Sequence, residues 1–387
     1  MDPLSIKPVF REAKEEDIFQ IAKLYDSTYQ GSYPDPLMRD FYLIQQYLQS
    51  PHNFWFVCEI DHHIVGSLLF RYDDINVMAK SFGAVMDSKY RGQHFMEGLL
   101  QWGIHYIRTH TPGLEIIYST TRTLHEAAQS LTERCGFKKL GIFPNARKTQ
   151  DYETHALAAI ITPEALEKRH GSYYVHHHLK PFYDLVSAEL SLPESPVIQP
   201  DQPTRTLFPC DHLEFIEAEF FIKYRYEELK KQKKLVFEFF PFHEPNCLLI
   251  NPDQRIEVFC HLSRVDGHCT YIGAHLPHQL DYQDLFIRTN RLLRNQGARY
   301  LEILVRADRP KVLERVLMAK FIPCAFFPAF QQIGNTRYDF FVFSKSYEIF
   351  DFQLIRLKGL NQRFLEEYFK AWKRVSLTPK LLEFSEE

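Results

Sequence analysis

Between Lys80 and Phe137 the chain runs as an apolar strand, the turn MDSKYRGQHFM, a helix, a second strand and a helix ending in RCGF. A turn that opens a helix carries main-chain N–H groups without intrahelical acceptors, and the helix dipole there favours an anion. Arg91, Gly92, Gln93, His94, Phe95 and Met96 therefore form a candidate cradle for phosphate. His125 stands just beyond the following strand, and an imidazole has the ordinary pKa of a base working near pH 7. The same residue is placed to cap the helix it opens. Thr120, at the end of that strand, and Tyr72, Asp73 and Asp74, after an earlier one, are candidates for holding a substrate. Other reactive side chains point elsewhere. His62 and His63 fall in a turn, and the run His176 to His178 would alternate faces in an extended strand, so neither predicts a metal site. Cys135 has no base paired with it and is assigned to packing.

The elements that must position these groups follow from periodicity. Residues 8–11 predict a strand, and KEEDIFQIAKLYDSTY a helix with acidic residues at its start. A second amphipathic piece, PLMRDFYLIQQYLQS, precedes two apolar runs, 54–60 and 64–71, that predict a hairpin. Strands at 80–86 and 114–120 alternate with helices, the first of which stops at Pro112 and Gly113. Residues 139–144 and 153–161 supply the last two strands of a mixed α/β sheet.

This order, with R-G-Q-H-F-M at the turn and A-x-x-x-T-x-x-x-G-F later, resembles the GNAT superfamily of acyl-CoA-dependent N-acetyltransferases over roughly residues 8–162. The family pattern at the turn is R/Q-x-x-G-x-G/A; Arg91 and Gly92 are in place, while His94 and Met96 replace small residues. The resemblance implies that acetyl-CoA is the co-substrate. Its pyrophosphate would face the amides from Gly92 to Met96, and its pantetheine arm would pair with the backbone of Ala84 and Met86. The Met86 amide would steady the thioester carbonyl. Ala128 matches the family's alanine, His125 stands at its asparagine, and Thr132 occupies the place of the tyrosine that protonates the leaving thiolate. The implied reaction is acetyl transfer to a primary amine on a small molecule or a protein. The alternative is a binding or regulatory protein that has kept the fold and lost the chemistry.

A chain of 387 residues predicts two domains. Apolar content of 45% and charged content of 25% are those of a soluble globular protein. A net charge of −3 gives no reason to expect nucleic acid or a membrane surface as partner. Seven cysteines without a C-x-x-C pair predict a reducing compartment; with no leader-like start, the expected location is the cytoplasm. The domains are expected at 1–165, a helical and proline-rich linker at 166–203, and a second unit at 204–387, with the boundary near 200. In the second unit LVFEFF at 235–240, CLLI, RIEVFCH and CTYIGAHL predict strands. RPKVLERVLMAKFIPCAFFP parallels HEAAQSLTERCGFKKLGIFP element for element, so a second GNAT-like domain is expected. Its turn, PHQLDYQD, lacks an arginine-glycine pair and carries two aspartates, which predicts no cofactor site there. Closing over the first domain, supplying acceptor contacts and forming a homodimer are the three roles left open to it.

Overall fold

The computed structural model describes residues 7–377 apart from 32, 34, 150, 172, 196, 199–206, 351, 353 and 354. The boundary expected near residue 200 lies outside the described residues. The first half comprises β1 (Val9–Glu12), α1 (Ile18–Tyr29), α2 (Phe41–Gln49), β2 (Asn53–Ile60), β3 (His63–Asp73), β4 (Met78–Met86), α3 (Phe95–His110), β5 (Ile116–Arg122), α4 (Glu126–Arg134), β6 (Lys138–Lys148) and β7 (Tyr152–Ile161). A connecting region carries α5 (Pro163–Glu167), β8 (Val175–His176), α6 (Lys180–Leu190) and β9 (Val197–Ile198). The second half comprises β10 (Glu214–Ile216), α7 (Glu219–Lys231), β11 (Cys247–Ile250), β12 (Glu257–Leu262), β13 (His268–His275), α8 (Tyr282–Asn295), β14 (Tyr300–Arg306), α9 (Pro310–Met318), β15 (Ile322–Ile333), β16 (Thr336–Ser346) and α10 (Leu360–Leu377).

Fourteen of these strands form one sheet, ordered β1-β2-β3-β4-β5-β7-β6 and then β15-β16-β14-β13-β12-β11-β10. Counted along the chain, each half runs first to fifth strand, then seventh, then sixth. The strand order of one half is thus repeated in the other, and the halves meet edge to edge through their sixth strands. The seam is a bridge between Gly141 and Ala325. A Cβ on Gly141 would stand 2.2 Å from Ala325 Cβ and 2.4 Å from the Cys324 carbonyl oxygen, so only glycine permits this approach. The repeat extends to the helix ends: Gly136 after α4 and Lys320 after α9 both adopt positive φ, 88° and 65°.

Side chains alternate across the sheet. In the first half Ala79, Ile117 and Ala158 face α3, packing with Leu99, Leu100 and Ile104. Their neighbours Met78, Tyr118 and Leu157 face the other way, into a core that continues through β14, β15 and β16. The second half therefore covers part of the first half's sheet, with α1 and α2 covering the rest through Tyr25 and Ile44, which pack with Met38 and with Trp55 of β2.

Three expectations change. Residues 235–240 are not a strand of the sheet but form a single bridge, Phe237 to Ala274. β6 and β15 run past Pro144 and Pro328, because each proline sits where the strand's pairing slips register and no ladder N–H is required. Helix α7, absent from the expected elements, exposes Phe220, Phe221 and Tyr224, which blurs its apolar stripe. No helix among the described residues is long and apolar enough to cross a membrane.

Candidate functional site

β4 and β5 pair in parallel only from Met78–Ser81 to Ile116–Ser119. Beyond Ser81 the two strands part, and β4 keeps its antiparallel partner β3 while its other edge opens. The Asp87 N–H bonds the Val65 carbonyl on β3 at 2.8 Å, so by alternation the Met86 amide points to the open edge. Tyr25 fixes the bend in this strand by donating its hydroxyl proton to the Gly83 carbonyl.

The chain then turns into α3. Arg91 Nε donates to the Met86 carbonyl at 3.1 Å, tying the turn to the end of β4. Gly92 has φ +80°, and a Cβ there would meet nothing within 4 Å, so the turn has open space in front of it. His94 is the N-cap in the left-handed region, and its side chain makes no cap hydrogen bond. The first intrahelical bond is Gly98 N–H to the His94 carbonyl at 3.0 Å, which leaves the amides from His94 to Glu97 without helical acceptors. The two bulky residues do not fill the turn: the exposed His94 ring bonds Glu97 at 2.9 Å, and Met96 packs against the α3 core. Hydrogen bonds from His94 and Arg134 hold the Glu97 carboxyl below the usual range, and the Arg134 guanidinium pairs with it at 2.8 Å.

On the opposite face of the splay lies a cavity of about 80 Å³ that both halves line. Thr120 and Tyr118 of β5, Lys80 of β4 and His155 of β7 form the first half's wall. Burial pushes the Lys80 ammonium down to about 8 and the His155 imidazole down to about 4. Glu302 of β14 and His268 of β13 face them from the second half. Burial raises the Glu302 carboxyl to about 7 and drives His268 well below its ordinary value. Arg147 also reaches this space, with its guanidinium held by the buried Asp266 at 3.1 Å.

The structure gathers Ala84, Met86, Arg91, Gly92, Gln93, His94, Phe95 and Met96 around one edge and one turn. Thr120 stands across the sheet at the cavity. His125 is exposed at the N-cap of α4, makes no cap hydrogen bond and does not line the cavity. Thr132 is corrected as a cofactor contact: its hydroxyl bonds the Ala128 and Gln129 carbonyls at 3.3 and 2.9 Å and meets Lys139 Nζ at 3.4 Å. The α4 residues that face the α3 core are Leu131 and Cys135, whereas Gln129, beside Thr132, bonds Asn361 of α10. Lys80, His155 and Glu302 were missed as site residues. Each is an ionisable residue next to a run of apolar ones in a strand, a signal visible in KSFGAVM, ETHALAAII and RYLEILV.

The second half has the same parallel start, His268–Thr270 with Tyr300–Glu302, but its gap is filled. Val236 N–H bonds the Ala274 carbonyl at 2.7 Å, and Ala274 N–H bonds the Phe237 carbonyl at 3.1 Å, so the chain itself occupies the open edge of β13. At the start of α8 the Asp281 carboxylate accepts from the Gln283 amide at 2.9 Å, and Asp284 accepts from the Cys210 amide at 2.7 Å. Carboxylates at the cap and in the first turn make this helix start less favourable for an anion than that of α3.

Residues 18–137 match the family model described as Acetyltransferase (GNAT) family. No curated protein matches the chain in sequence. Similar solved structures include an N-acetyltransferase from Staphylococcus aureus Mu50, at 19% identity over 40% of this chain and 98% of that one, with a TM-score of 0.36. The ribosomal-protein-S5-alanine acetyltransferase from Vibrio fischeri is 18% identical over 40% and 93%, TM-score 0.36. A ribosomal-protein-alanine N-acetyltransferase from Brucella melitensis is 16% identical over 40% and 99%, TM-score 0.36. With a helix start free of caps, an opened strand edge beside it and a sequence that matches over the same stretch, residues 18–137 are a domain of the GNAT acetyltransferase family.

Proposed function

We propose that the first half transfers an acetyl group from acetyl-CoA to a primary amine. The observation that carries this reading is the splay of β4 from β5, with an uncapped helix start on one face of the sheet and a cavity of ionisable groups on the other. The residues present fit the cofactor. Amides from Gly92 to Met96 would hold its diphosphate, and those of Ala84 and Met86 would pair with its pantetheine arm. Bound acetyl-CoA would supply an acetyl thioester: the C–N bond to the acceptor would form as the C–S bond broke, with one of the nitrogen's two remaining protons going to the sulfur and the other staying as the amide N–H.

The chain's own groups do the rest. An acceptor amine enters protonated, and Lys80, whose pKa of about 8 lies close to working pH, takes one proton from its nitrogen. Thr120 and His155 flank the amine and fix its approach. The reading assigns the cofactor to the first half alone, because residues 236–237 and Asp281 take up the corresponding places in the second.

Acetyl-CoA is expected to raise the Tm, since it binds only the folded state. Gly92→Glu sets a negative charge against the diphosphate, worth about 1–4 kcal/mol at surface dielectrics, and is expected to weaken acetyl-CoA binding at least about tenfold. Gly92→Ala carries the same left-handed strain without the charge and should keep most of the affinity. Calorimetric titration of both variants is the check; equal losses would remove the turn from the cofactor site.

A further inference from the structure

Glu302 has no counter-charge at contact distance. Among the described residues its carboxylate meets one ionisable side chain, His268 Nε2 at 3.5 Å, and burial keeps that imidazole neutral. The side chain is 12% exposed, and what it is exposed to is the cavity. A buried acid so placed is costly unless a cation joins it. Neither nearby cation is paired with it: Arg147 is taken by Asp266, and Lys80 stands on the facing wall with no ion pair to Glu302 within 4.0 Å among the described residues. The remaining walls are aromatic, with Tyr118 edge-on to Phe327 and Phe330 at 5.7 Å each, the surface that an ammonium prefers among apolar linings. The cavity of about 80 Å³ would hold roughly five to eight waters, taking about 10–15 Å³ for each, which suits a short aliphatic chain.

We infer that the acceptor is a small diamine whose second ammonium is held by Glu302, so the second half supplies the specificity of the first half's reaction. The inference rests on the acetyl-transfer reading for the amine that reacts, but the ammonium pocket itself does not depend on turnover. One amino group lies at Thr120 and Lys80 beside the splay; the other crosses to the Glu302 wall.

The probes are 1,3-diaminopropane to 1,6-diaminohexane, with butylamine and 4-aminobutyrate as matched controls. Calorimetry without acetyl-CoA is expected to show at least one diamine binding ten times or more tighter than butylamine. Glu302→Gln, which removes a buried charge and should fold at least as well as the wild type by thermal unfolding, is expected to erase that preference while leaving acetyl-CoA affinity unchanged. In turnover, the same substitution should raise the diamine KM about tenfold and leave that of butylamine alone. No diamine binding at millimolar concentration, a preference for butylamine or 4-aminobutyrate, or a preference that survives Glu302→Gln overturns the inference. Failure of acetyl-CoA to bind, or of CoA to be released while a diamine still binds through Glu302, counts against acetyl transfer and leaves the ammonium pocket standing.

Discussion

Arg337→Met is expected to destabilise the protein by about 3–5 kcal/mol in urea unfolding at neutral pH, the cost of breaking a buried ion pair from one side. Arg337 is fully buried on β16 of the second half, and two of its three hydrogen bonds cross to the first half. Its Nε bonds Glu115 Oε2 at 2.5 Å, Nη2 bonds the Asn76 carbonyl at 2.8 Å, and Nη1 bonds the Ala329 carbonyl at 2.9 Å. Glu115 and Asn76 belong to the first half, flanking the parallel start of β4 and β5. Burial would raise the Glu115 carboxyl, but hydrogen bonds from Lys168 and Arg337 outweigh it and keep the group ionised. Methionine fills a similar length of space yet leaves that carboxylate and two carbonyls short of a donor. Glu115→Gln added to Arg337→Met removes the stranded charge, so the double variant is expected to be more stable than Arg337→Met alone. A loss below about 1 kcal/mol in the single variant would mean that this pair does not hold the halves together. The pair matters for function because the cavity has one wall in each half.

Much of the architecture was legible from local pattern, and the parallel between HEAAQSLTERCGFKKLGIFP and RPKVLERVLMAKFIPCAFFP carried the repeat of strand order. The turn was legible for a related reason: its donors are main-chain amides, set by where a helix begins rather than by which side chains stand there. Neither His94 nor Met96 fills the turn, since one bonds Glu97 outward and the other packs inward. The cavity could not be assembled from the sequence. Lys80, His155 and Glu302 come from strands far apart in the chain, and only the sheet's continuity across the Gly141–Ala325 seam brings them together. The segment 235–240 misled because its apolar run suits a strand, whereas its backbone is used to plug the gap beside β13. His125 lies exposed at the start of α4, away from the cavity.

Lys80→Met is expected to lower kcat by about 10²–10⁴-fold, the usual contribution of a positioned base, while leaving acetyl-CoA affinity intact. The pH profile separates a base from a packing residue. Burial is the main cause of the depressed Lys80 pKa; Arg147 and Arg71 lower it further, and Glu302 and Asp35 oppose them. If neutral Lys80 accepts the proton, the wild-type rate rises with pH to a plateau above about 8, and Lys80→Met loses that limb. Stability should move the other way. In the unfolded chain lysine titrates near its ordinary value of 10.5, so below pH 8 it is charged in both states and the folded state bears the cost of burying the charge. Between pH 8 and 10.5 the folded state holds fewer protons than the unfolded one, so wild-type stability rises with pH and the cost disappears at the upper end. Lys80→Met should therefore be more stable than the wild type at pH 7 and converge on it by about pH 10.5, as read by urea unfolding across that range. A slower and more stable variant is what a buried base predicts, because the charge that burial penalises is the one that catalysis uses. A variant with an unchanged rate would remove Lys80 from the chemistry, and one that is slower and less stable would show the side chain to be structural.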